Sequence, residues 1–384
     1  MITEEEIRSI VSYYEQLLRS QAERAESLSA KKARTASDTT VIGIIDGDGI
    51  GPIIMHEARR VLNKVLADEI QSGKIELRDI QGLTIENRLK LGKSVPEDTL
   101  RAIKECDVLL KGPTTTPSGG MADKVSTGKG GMESANVTLR RELDLYANTR
   151  PVKVPEENID WMFFRENTEG EYTLGSKGIE IPDLLTMDFK VTTVAGTRRI
   201  ARAAYEYARK NGKNHVSIVT KSNIMKKTDG MFSRIAHEVA TEYPEITTDE
   251  YYIDIMTANL VNPSIRSSFQ VFLLPNLYGD IITDEAAQIQ GGVGTAGSAN
   301  LGDDYAMFEA IHGSAPRLIE AGLGNYADPS SILTAACMLL DHIGLKARGD
   351  QIRDAMEKAR SICPVIGENA STCQEFGDAL IRSL

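Results

Sequence analysis

The stretch VFLLPNLYGDIITDEAAQI, residues 271–289, joins a strand-like apolar run to a turn and a helix-like segment. Two similar apolar runs precede it, HVSIVT at 215–220 and EYYI at 250–253. Strands that alternate with helices in this way predict an α/β fold with a largely parallel sheet. In such open sheets, ligands collect at the carboxyl ends of the strands, so residues that follow the runs are candidates for a site.

Four charged residues lie just past these runs: Lys221, Asp254, Asp280 and Asp284. If 276–289 is helical, Asp280 and Asp284 share one helix face, because they are four residues apart. Two adjacent carboxylates repel unless a cation lies between them, and oxygen ligands suit Mg²⁺ or Mn²⁺. We therefore predict a metal site with Lys221 as a base. The alternative is that one aspartate caps the helix and the other is solvated.

The same alternation begins near residue 40. VIGIID at 41–46 is predicted to be a strand, GDGIGP at 47–52 a turn and HEARRVLNKVLADEI at 56–70 a helix. The third glycine of the turn comes one residue too early for GxGxxG, so the usual dinucleotide fingerprint is absent. Two Gly-rich runs, Gly119–Gly131 and Gly291–Gly302, are predicted to be mobile or phosphate-facing loops.

Composition narrows the class of protein. A length of 384 residues predicts about two domains, and the net charge of −11 argues against a nucleic-acid partner. The four cysteines show neither the pairing of a zinc site nor the density of a disulfide scaffold, so we expect a cytoplasmic location. No apolar run approaches the length of a membrane span, and no signal-peptide core follows the N-terminus.

The first forty residues are predicted to form an extension that precedes the α/β pattern. Thr3 to Glu6 form a capping-box pattern, and residues 19–40 are polar. Apolar residues at helical spacing predict an amphipathic helix that packs on its own chain or on a second subunit: Ile7, Ile10, Val11, Tyr14, Leu17 and Leu18.

Basic residues cluster against the acidic background. Arg140 lies in the helical stretch ANVTLRREL, while Arg150 and Arg165 are predicted to follow the strand-like runs LDLYANT and WMFFR. A guanidinium binds a carboxylate through two hydrogen bonds, so converging arginines favour a polycarboxylate substrate. The alternative is that each is a surface ion-pair partner.

Seven segments arrive in an order that resembles the metal-dependent β-decarboxylating dehydrogenases, which include isocitrate, homoisocitrate, 3-isopropylmalate and tartrate dehydrogenases. They are GDGIGP, KGPTTTP, LRRELDLYANTRPV, FRENTEGEY, TKSNIMK, NLYGDIITDEAA and EAIHGSAP. The resemblance implies that family's fold, a largely parallel sheet with a large and a small domain, plus the extra N-terminal helix. We expect an extension and linker at 1–40, a large domain at 41–145 and 291–384, and a small dimerisation domain with a clasp at 146–290.

The resemblance also implies a homodimer, or a higher homo-oligomer, whose sites borrow residues across the interface. Arg140, Arg150 and Arg165 would bind substrate carboxylates. Asp280 and Asp284 would bind the metal with Asp254 of the neighbour, while Tyr172 and the neighbour's Lys221 would move protons. The residues expected to bind the cofactor are Lys111, Thr115 and Thr116 on the nicotinamide side and Glu309, His312, Gly313, Asn325 and Asp328 toward the adenosine half.

The expected reaction is oxidative decarboxylation of isocitrate, a step of the tricarboxylic acid cycle. Ser134 and Asn136 resemble the Ser-x-Asn of isocitrate enzymes, whereas Glu133 resembles the isopropylmalate type. An insert around 121–131 departs from both, so homoisocitrate, 3-isopropylmalate or another substituted malate is the alternative. A non-catalytic regulatory subunit is a further alternative, which the retained Tyr172, Lys221 and aspartates argue against.

The cofactor is expected to be NAD, with NADP as the alternative. Arg317 follows HGSAP, where NADP-using members place a base for the 2′-phosphate. Against NADP, the segment VIGENASTCQEF at 365–376 lacks the Tyr and Arg that support that phosphate in bacterial NADP-dependent isocitrate enzymes, and it resembles the NAD type.

Overall fold

The computed structural model describes residues 3–28, 38–116, 132–175, 177–365 and 370–384. Its helices are α1 (Glu4–Ser27), α2 (Gly51–Val65), α3 (Ala67–Gln71), α4 (Ile85–Leu91), α5 (Glu97–Lys104), α6 (Ala135–Glu142), α7 (Val194–Lys210), α8 (Thr228–Ala240), α9 (Ile253–Leu260), α10 (Asn276–Ile289), α11 (Pro316–Glu320), α12 (Ser330–His342), α13 (Lys346–Ile362) and α14 (Cys373–Ser383). Its strands are β1 (Thr40–Ile45), β2 (Ile75–Asp79), β3 (Val108–Lys111), β4 (Ala147–Val154), β5 (Ile159–Glu166), β6 (Ile179–Ile181), β7 (Leu185–Met187), β8 (His215–Thr220), β9 (Thr247–Tyr252), β10 (Val271–Leu274), β11 (Gly297–Leu301) and β12 (Ala306–Ala310).

The chain divides into two compact units. We call Thr35–Phe163 with Ile281–Leu384 the core unit, and Met1–Arg34 with Phe164–Asp280 the inserted unit. Strand β5 and helix α10 each run from one unit into the other. The boundaries of the small domain expected from the sequence, 146 and 290, lie outside those of the inserted unit, and α1 belongs to that unit.

The core unit has a mixed sheet with the order β2-β1-β3-β12-β11-β4. The neighbours β2, β1, β3 and β12 are parallel, whereas β11 is antiparallel to both β12 and β4. A buried apolar cluster joins the sheet to α2, α12, α13 and α14, and a second cluster includes residues of α5 and α6. Burial of this apolar surface is the main stabilising term of such a three-layer fold.

In the inserted unit, β10, β8 and β9 are parallel neighbours, covered by α7 and α8. Helix α7 buries a stripe that includes Ile200, Ala204 and Tyr205, as an amphipathic helix should. The predicted α/β fold with a mostly parallel sheet is therefore confirmed. None of the helices that the structure describes is long and apolar enough to cross a membrane.

The N-terminal helix α1 packs on the inserted unit of its own chain. The predicted capping box is present, because Thr3 and Glu6 bond each other's backbone amides. The Tyr14 ring lies 5.7 Å from the Phe189 ring, and Arg24 donates to the Thr168 carbonyl at 3.1 Å. Only one side of the apolar stripe is covered, since Leu17 is buried while Ile7, Val11 and Leu18 are exposed.

Two predictions about local structure were wrong. Arg150 and Arg165 do not follow strands but lie within β4 and β5. The Gly-rich run 291–302 is not a continuous loop, since Gly297–Leu301 forms the buried strand β11 between β12 and β4. Small residues fit there because a side chain at Gly297 would meet the backbone of Ala335 at 2.7 Å. The other Gly-rich run, and the predicted insert around 121–131, lie outside the described residues.

Candidate active site

The predicted base and one predicted metal ligand meet in the inserted unit. Lys221 directly follows β8 and Asp254 is the second residue of α9, which follows β9, so both lie at the carboxyl edge of parallel strands. The Lys221 Nζ donates to Asp254 Oδ1 at 2.5 Å. This hydrogen bond holds the pKa of Asp254 below its ordinary value. A lysine paired in this way is oriented but remains partly open to solvent, at 25% of its side-chain surface.

A second group of candidate site residues surrounds Asp280, also in the inserted unit. The Tyr172 hydroxyl donates to Asp280 Oδ2 at 2.7 Å, and Arg165 forms an ion pair with Asp280 Oδ1. The Arg165 guanidinium lies 5.3 Å from the centre of the Tyr172 ring and donates to Asn276 Oδ1. Gly279 leaves room for this arginine, because an added Cβ would lie 2.6 Å from Arg165 Cγ. A proton donor, a cation and a carboxylate are therefore held in contact.

In the core unit, Arg150 forms an ion pair with Asp284, as Arg165 does with Asp280 in the inserted unit. Its Nη1 donates to Asp284 Oδ1 at 2.8 Å and to the Thr283 hydroxyl at 2.7 Å. Side-chain exposure is 0% for Arg165, 8% for Arg150 and 11% for Arg140. These buried guanidinium groups are therefore not surface ion-pair partners, which was the alternative for each arginine considered alone.

The two aspartates of α10 fit a divalent cation by chemistry and exposure. Asp280 and Asp284 are the fifth and ninth residues of the helix, so neither caps it and they lie on successive turns. Their side chains are 39% and 60% exposed, in contrast to the buried arginines that pair with them. Among the residues described, the single chain brings together no group of three potential metal ligands.

The core unit also contains a buried ionic cluster around Glu309. The fully buried Lys111 Nζ donates to Glu309 Oε2 at 3.0 Å, and Arg140 Nη2 donates to Oε1 at 3.2 Å. Asn300 donates to the same Oε1 at 2.8 Å. Although burial raises the pKa of Glu309, the two cations and these hydrogen bonds outweigh it and lower the pKa to about 2. Lys111, Arg140 and Glu309 are thereby held in a fixed arrangement.

We expect Glu309→Gln to lower the free energy of unfolding by about 3–5 kcal/mol, because Lys111 would stay buried without its full counter-charge. Urea unfolding at pH 7 measures the loss. Glu142→Gln is the matched control: its pair with Lys104 is about 40% exposed on both sides and should contribute less than about 1 kcal/mol. Since the pKa of Glu309 is lowered from 4.5 to about 2, its stabilisation should persist above pH 4.5 and fade as the pH falls toward 2. Equal losses in the two variants would contradict this assignment.

The residues expected to select the substrate lie at the start of α6. Ser134 is the N-cap, and its hydroxyl makes no capping bond. The Asn136 Oδ1 accepts a hydrogen bond from the Thr114 hydroxyl at 3.0 Å, which ties the helix to the loop after β3. Glu133 is turned toward its own helix, where both carboxylate oxygens accept from Arg141 at 2.9 and 2.8 Å.

The expected cofactor residues all belong to the core unit. Asp48 of GDGIGP accepts from the Thr115 amide at 2.7 Å, and the Thr115 hydroxyl lies 2.7 Å from that of Ser314. Gly49 packs against this same region, because an added Cβ would lie 2.0 Å from the Ser314 carbonyl oxygen. The glycine turn therefore organises the two loops that carry Thr115, Thr116, His312 and Gly313.

The remaining cofactor candidates lie beyond these loops. Arg317 is exposed on the short helix α11, and Asn325 is exposed in the following turn. Asp328 Oδ1 accepts the amide of Ser330, next to the start of α12. Of the segment 365–376 that argued for NAD, residues 366–369 lie outside the described part of the chain.

Several residues of these networks were missed at the level of sequence. Asn276 joins Arg165 to the Glu169 carbonyl, Thr283 binds Arg150, and Lys190 forms buried ion pairs. A single Asn, Thr or Lys beside a strand or on a helix has no diagnostic spacing. The one available signal was the adjacency of Asn276 and Thr283 to the predicted metal ligands.

The chain is similar in sequence to known proteins. Residues 41–380 match the family described as isocitrate/isopropylmalate dehydrogenase, which leaves α1 outside the match. The isocitrate dehydrogenase [NADP] of Rickettsia prowazekii is 41% identical over 334 residues, which cover 83% of this chain and 63% of that protein. The homoisocitrate dehydrogenase of Methanocaldococcus jannaschii is 35% identical over 88% of this chain and 96% of its own length.

The fold of the chain is also similar to that of solved structures. The crystal structure of isocitrate dehydrogenase from Methylococcus capsulatus has a TM-score of 0.78 and 32% identity, and the match covers 90% of this chain and 99% of that one. The present chain spans only 63% of the length of the Rickettsia enzyme. Similarity alone therefore does not assign the activity of that enzyme to the present chain. The family predicted from the sequence motifs is nevertheless confirmed over nearly the whole chain. The protein belongs to the isocitrate/isopropylmalate dehydrogenase family.

Proposed function

We propose that the chain catalyses the metal-dependent oxidative decarboxylation of isocitrate to 2-oxoglutarate, with reduction of NAD or NADP. The observation that carries the proposal is the Tyr172–Asp280–Arg165 arrangement, in which a proton donor and a cation share one carboxylate. Such a group can bind an anionic substrate and deliver a proton beside a metal ligand.

The proposed mechanism assigns a role to each side chain. Arg140, Arg150 and Arg165 bind the carboxylates of the substrate, and Lys221 removes the hydroxyl proton. A bound nicotinamide would supply the hydride acceptor. After CO₂ leaves, Tyr172 gives its proton to the carbon that carried the lost carboxylate. A Mg²⁺ or Mn²⁺ held by Asp254, Asp280 and Asp284 would polarise the substrate oxygen throughout both steps.

The proposal includes a site completed by a second copy of the chain. Within one chain, Lys221 is bonded to Asp254, whereas Tyr172 is bonded to Asp280. We infer that Lys221 and Asp254 act as a pair in the site of the partner subunit, while Tyr172 and Asp280 act in the site of their own subunit. The functional form is accordingly a homodimer or a larger assembly of such dimers.

Substrate selectivity is proposed to depend on Ser134 and Asn136. Isocitrate carries a third carboxylate that 3-isopropylmalate lacks, and a hydroxyl and an amide at the start of α6 can donate to it. Asn136→Leu should lower kcat/KM for isocitrate at least about tenfold, since each unpaired polar group costs roughly 1–3 kcal/mol. The value for 3-isopropylmalate should change far less.

Steady-state kinetics with both substrates measure this difference. Asn87→Leu is a control for the loss of an amide elsewhere in the chain, because the Asn87 side chain bonds the Gly82 carbonyl just before α4 among the contacts described. An unchanged isocitrate constant in Asn136→Leu, or a wild-type preference for 3-isopropylmalate, would refute the selectivity assignment. Homoisocitrate, which also carries a third carboxylate, is the second candidate, favoured by the Methanocaldococcus relative.

We propose NAD as the cofactor, with NADP as the second candidate because Arg317 is exposed and basic on α11. The test is a spectrophotometric screen of the purified protein with Mn²⁺, in which isocitrate, homoisocitrate and 3-isopropylmalate are each combined with NAD and with NADP. Turnover of isocitrate by the protein alone is expected. No turnover under any combination would favour a regulatory subunit.

A further inference from the structure

A buried lysine of the inserted unit contacts the chain segments of both proposed proton-transfer residues. Lys190 precedes α7, and only 5% of its side chain is exposed. Its Nζ lies 2.6 Å from Asp229 Oδ1 and 3.4 Å from Glu171 Oε1, and it lies 4.4 Å from the centre of the Tyr278 ring. Asp229 is itself fully buried, so this is a desolvated ion pair.

The first of these contacts fixes the segment that carries Tyr172. Glu171 is the neighbour of Tyr172 in the chain, and its carboxylate pairs with Lys190. The next residue along, Val191, exchanges two backbone hydrogen bonds with Gly170, at 2.7 and 3.1 Å. The backbone just before Glu171 is thus held to the backbone just after Lys190, next to the Tyr172 turn.

The second contact fixes the segment that carries Lys221. Asp229, on α8, accepts the Lys221 backbone amide on Oδ2 at 2.8 Å while its Oδ1 faces Lys190. The Asp229 carboxylate therefore contacts both the Lys190 ammonium and the backbone amide of Lys221, directly after β8. No other side chain in the described residues is seen to pair with both Glu171 and Asp229.

Lys190 is charged despite its burial. Burial alone would lower its pKa, but the close carboxylate of Asp229, together with Glu171 and Tyr278, raises the pKa above its ordinary value. The contacts on both sides are therefore ionic at neutral pH.

We propose that Lys190 is a positioning residue that couples two active sites: through Glu171 it orients Tyr172 for its own subunit's site, and through Asp229 it orients Lys221 for the partner's site. This inference rests on the proposed function and on its shared site. Its distinctive consequence is that one Lys190 substitution damages both sites of a dimer, whereas substitution of Tyr172 or Lys221 damages one.

The test uses heterodimers made by co-expressing two differently tagged subunits and purifying through both tags. A wild-type/Tyr172→Phe heterodimer should retain half of the wild-type kcat, because one of its sites is intact. Lys190→Met should lower kcat of the homodimer roughly 10- to 100-fold, the loss typical of misplaced catalytic groups. The wild-type/Lys190→Met heterodimer should then fall well below half. A value of half or more would overturn the proposal.

A second variant, Glu171→Gln, tests the same proposal if Lys190→Met fails to fold. Glu171→Gln leaves the Lys190–Asp229 pair intact and alters a side chain that is 30% exposed. It should impair only the Tyr172 side, so the Glu171→Gln homodimer should lose kcat, and its heterodimer with Lys221→Met should keep half of the wild-type value. Full kcat in the Glu171→Gln homodimer would overturn the proposal. Absence of activity in a Tyr172→Phe/Lys221→Met heterodimer, which keeps one intact site only if the site is shared, would instead refute the shared site.

Discussion

Replacing Asp280 or Asp284 with asparagine should lower kcat at ordinary Mn²⁺ by about a thousandfold or more. Each substitution removes a charged oxygen ligand, and a bound cation contributes several kcal/mol of stabilisation to the reacting oxygens. Asp280→Asn also weakens the ion pair with Arg165 and the hydrogen bond from Tyr172. Raising the Mn²⁺ concentration should restore part of the activity, because the lost ligand weakens metal binding first.

Glu285→Gln is the matched control, since it removes a neighbouring carboxylate of α10 whose pKa is raised by burial alone. This variant should keep its activity and its response to Mn²⁺. Circular dichroism and thermal unfolding of all three variants establish that α10 is intact. Activity of the wild-type protein in the presence of a strong chelator would contradict the metal assignment.

Lys221→Met and Tyr172→Phe should each abolish turnover, yet a mixture of the two should recover activity when subunits exchange. The reason is the proposed shared site, in which Lys221 and Asp254, which are bonded to each other, act as a pair in the site of the partner subunit. If Lys221 serves the partner's site, a mixed dimer has one site with both defects and one site with neither. Mixed dimers should therefore show about half of the wild-type kcat, as expected from one intact site in two.

Isolation of mixed dimers through two tags shows that exchange has taken place, and a mixture of Lys221→Met with itself serves as the control. No recovery in verified mixed dimers would mean that both residues act within one subunit. That result would leave the family membership intact.

The fold and the positions of the candidate site residues were predictable from the sequence because each depends on local patterns. The run 271–289 holds an apolar strand and a helix, and it forms β10 and α10. Asp280 and Asp284 then follow from helical spacing, and Lys221 and Asp254 follow from the ends of parallel strands. The family was predicted from the resemblance of the long motifs, because the periodicity of apolar residues does not identify a family.

What the sequence did not predict depends on contacts between distant residues. Arg150 and Arg165 lie inside strands because ionic partners on α10 allow a buried guanidinium, and a propensity argument places such residues in loops. The Gly-rich run at 297–301 becomes strand β11 because close packing against α12 excludes larger residues. The partners of Lys190 are 19 and 39 residues away in sequence, at Glu171 and Asp229, and no spacing rule joins them.

The most direct test of the proposed function is a product measurement on the purified protein. With isocitrate, Mn²⁺ and the preferred nicotinamide cofactor, reduced cofactor can be followed by absorbance while 2-oxoglutarate and CO₂ are assayed separately. We expect equimolar formation of all three products, and we expect it to be lost on addition of a chelator and in Asp280→Asn. Reduced cofactor without CO₂, or no turnover of isocitrate beside rapid turnover of another substituted malate, would contradict it.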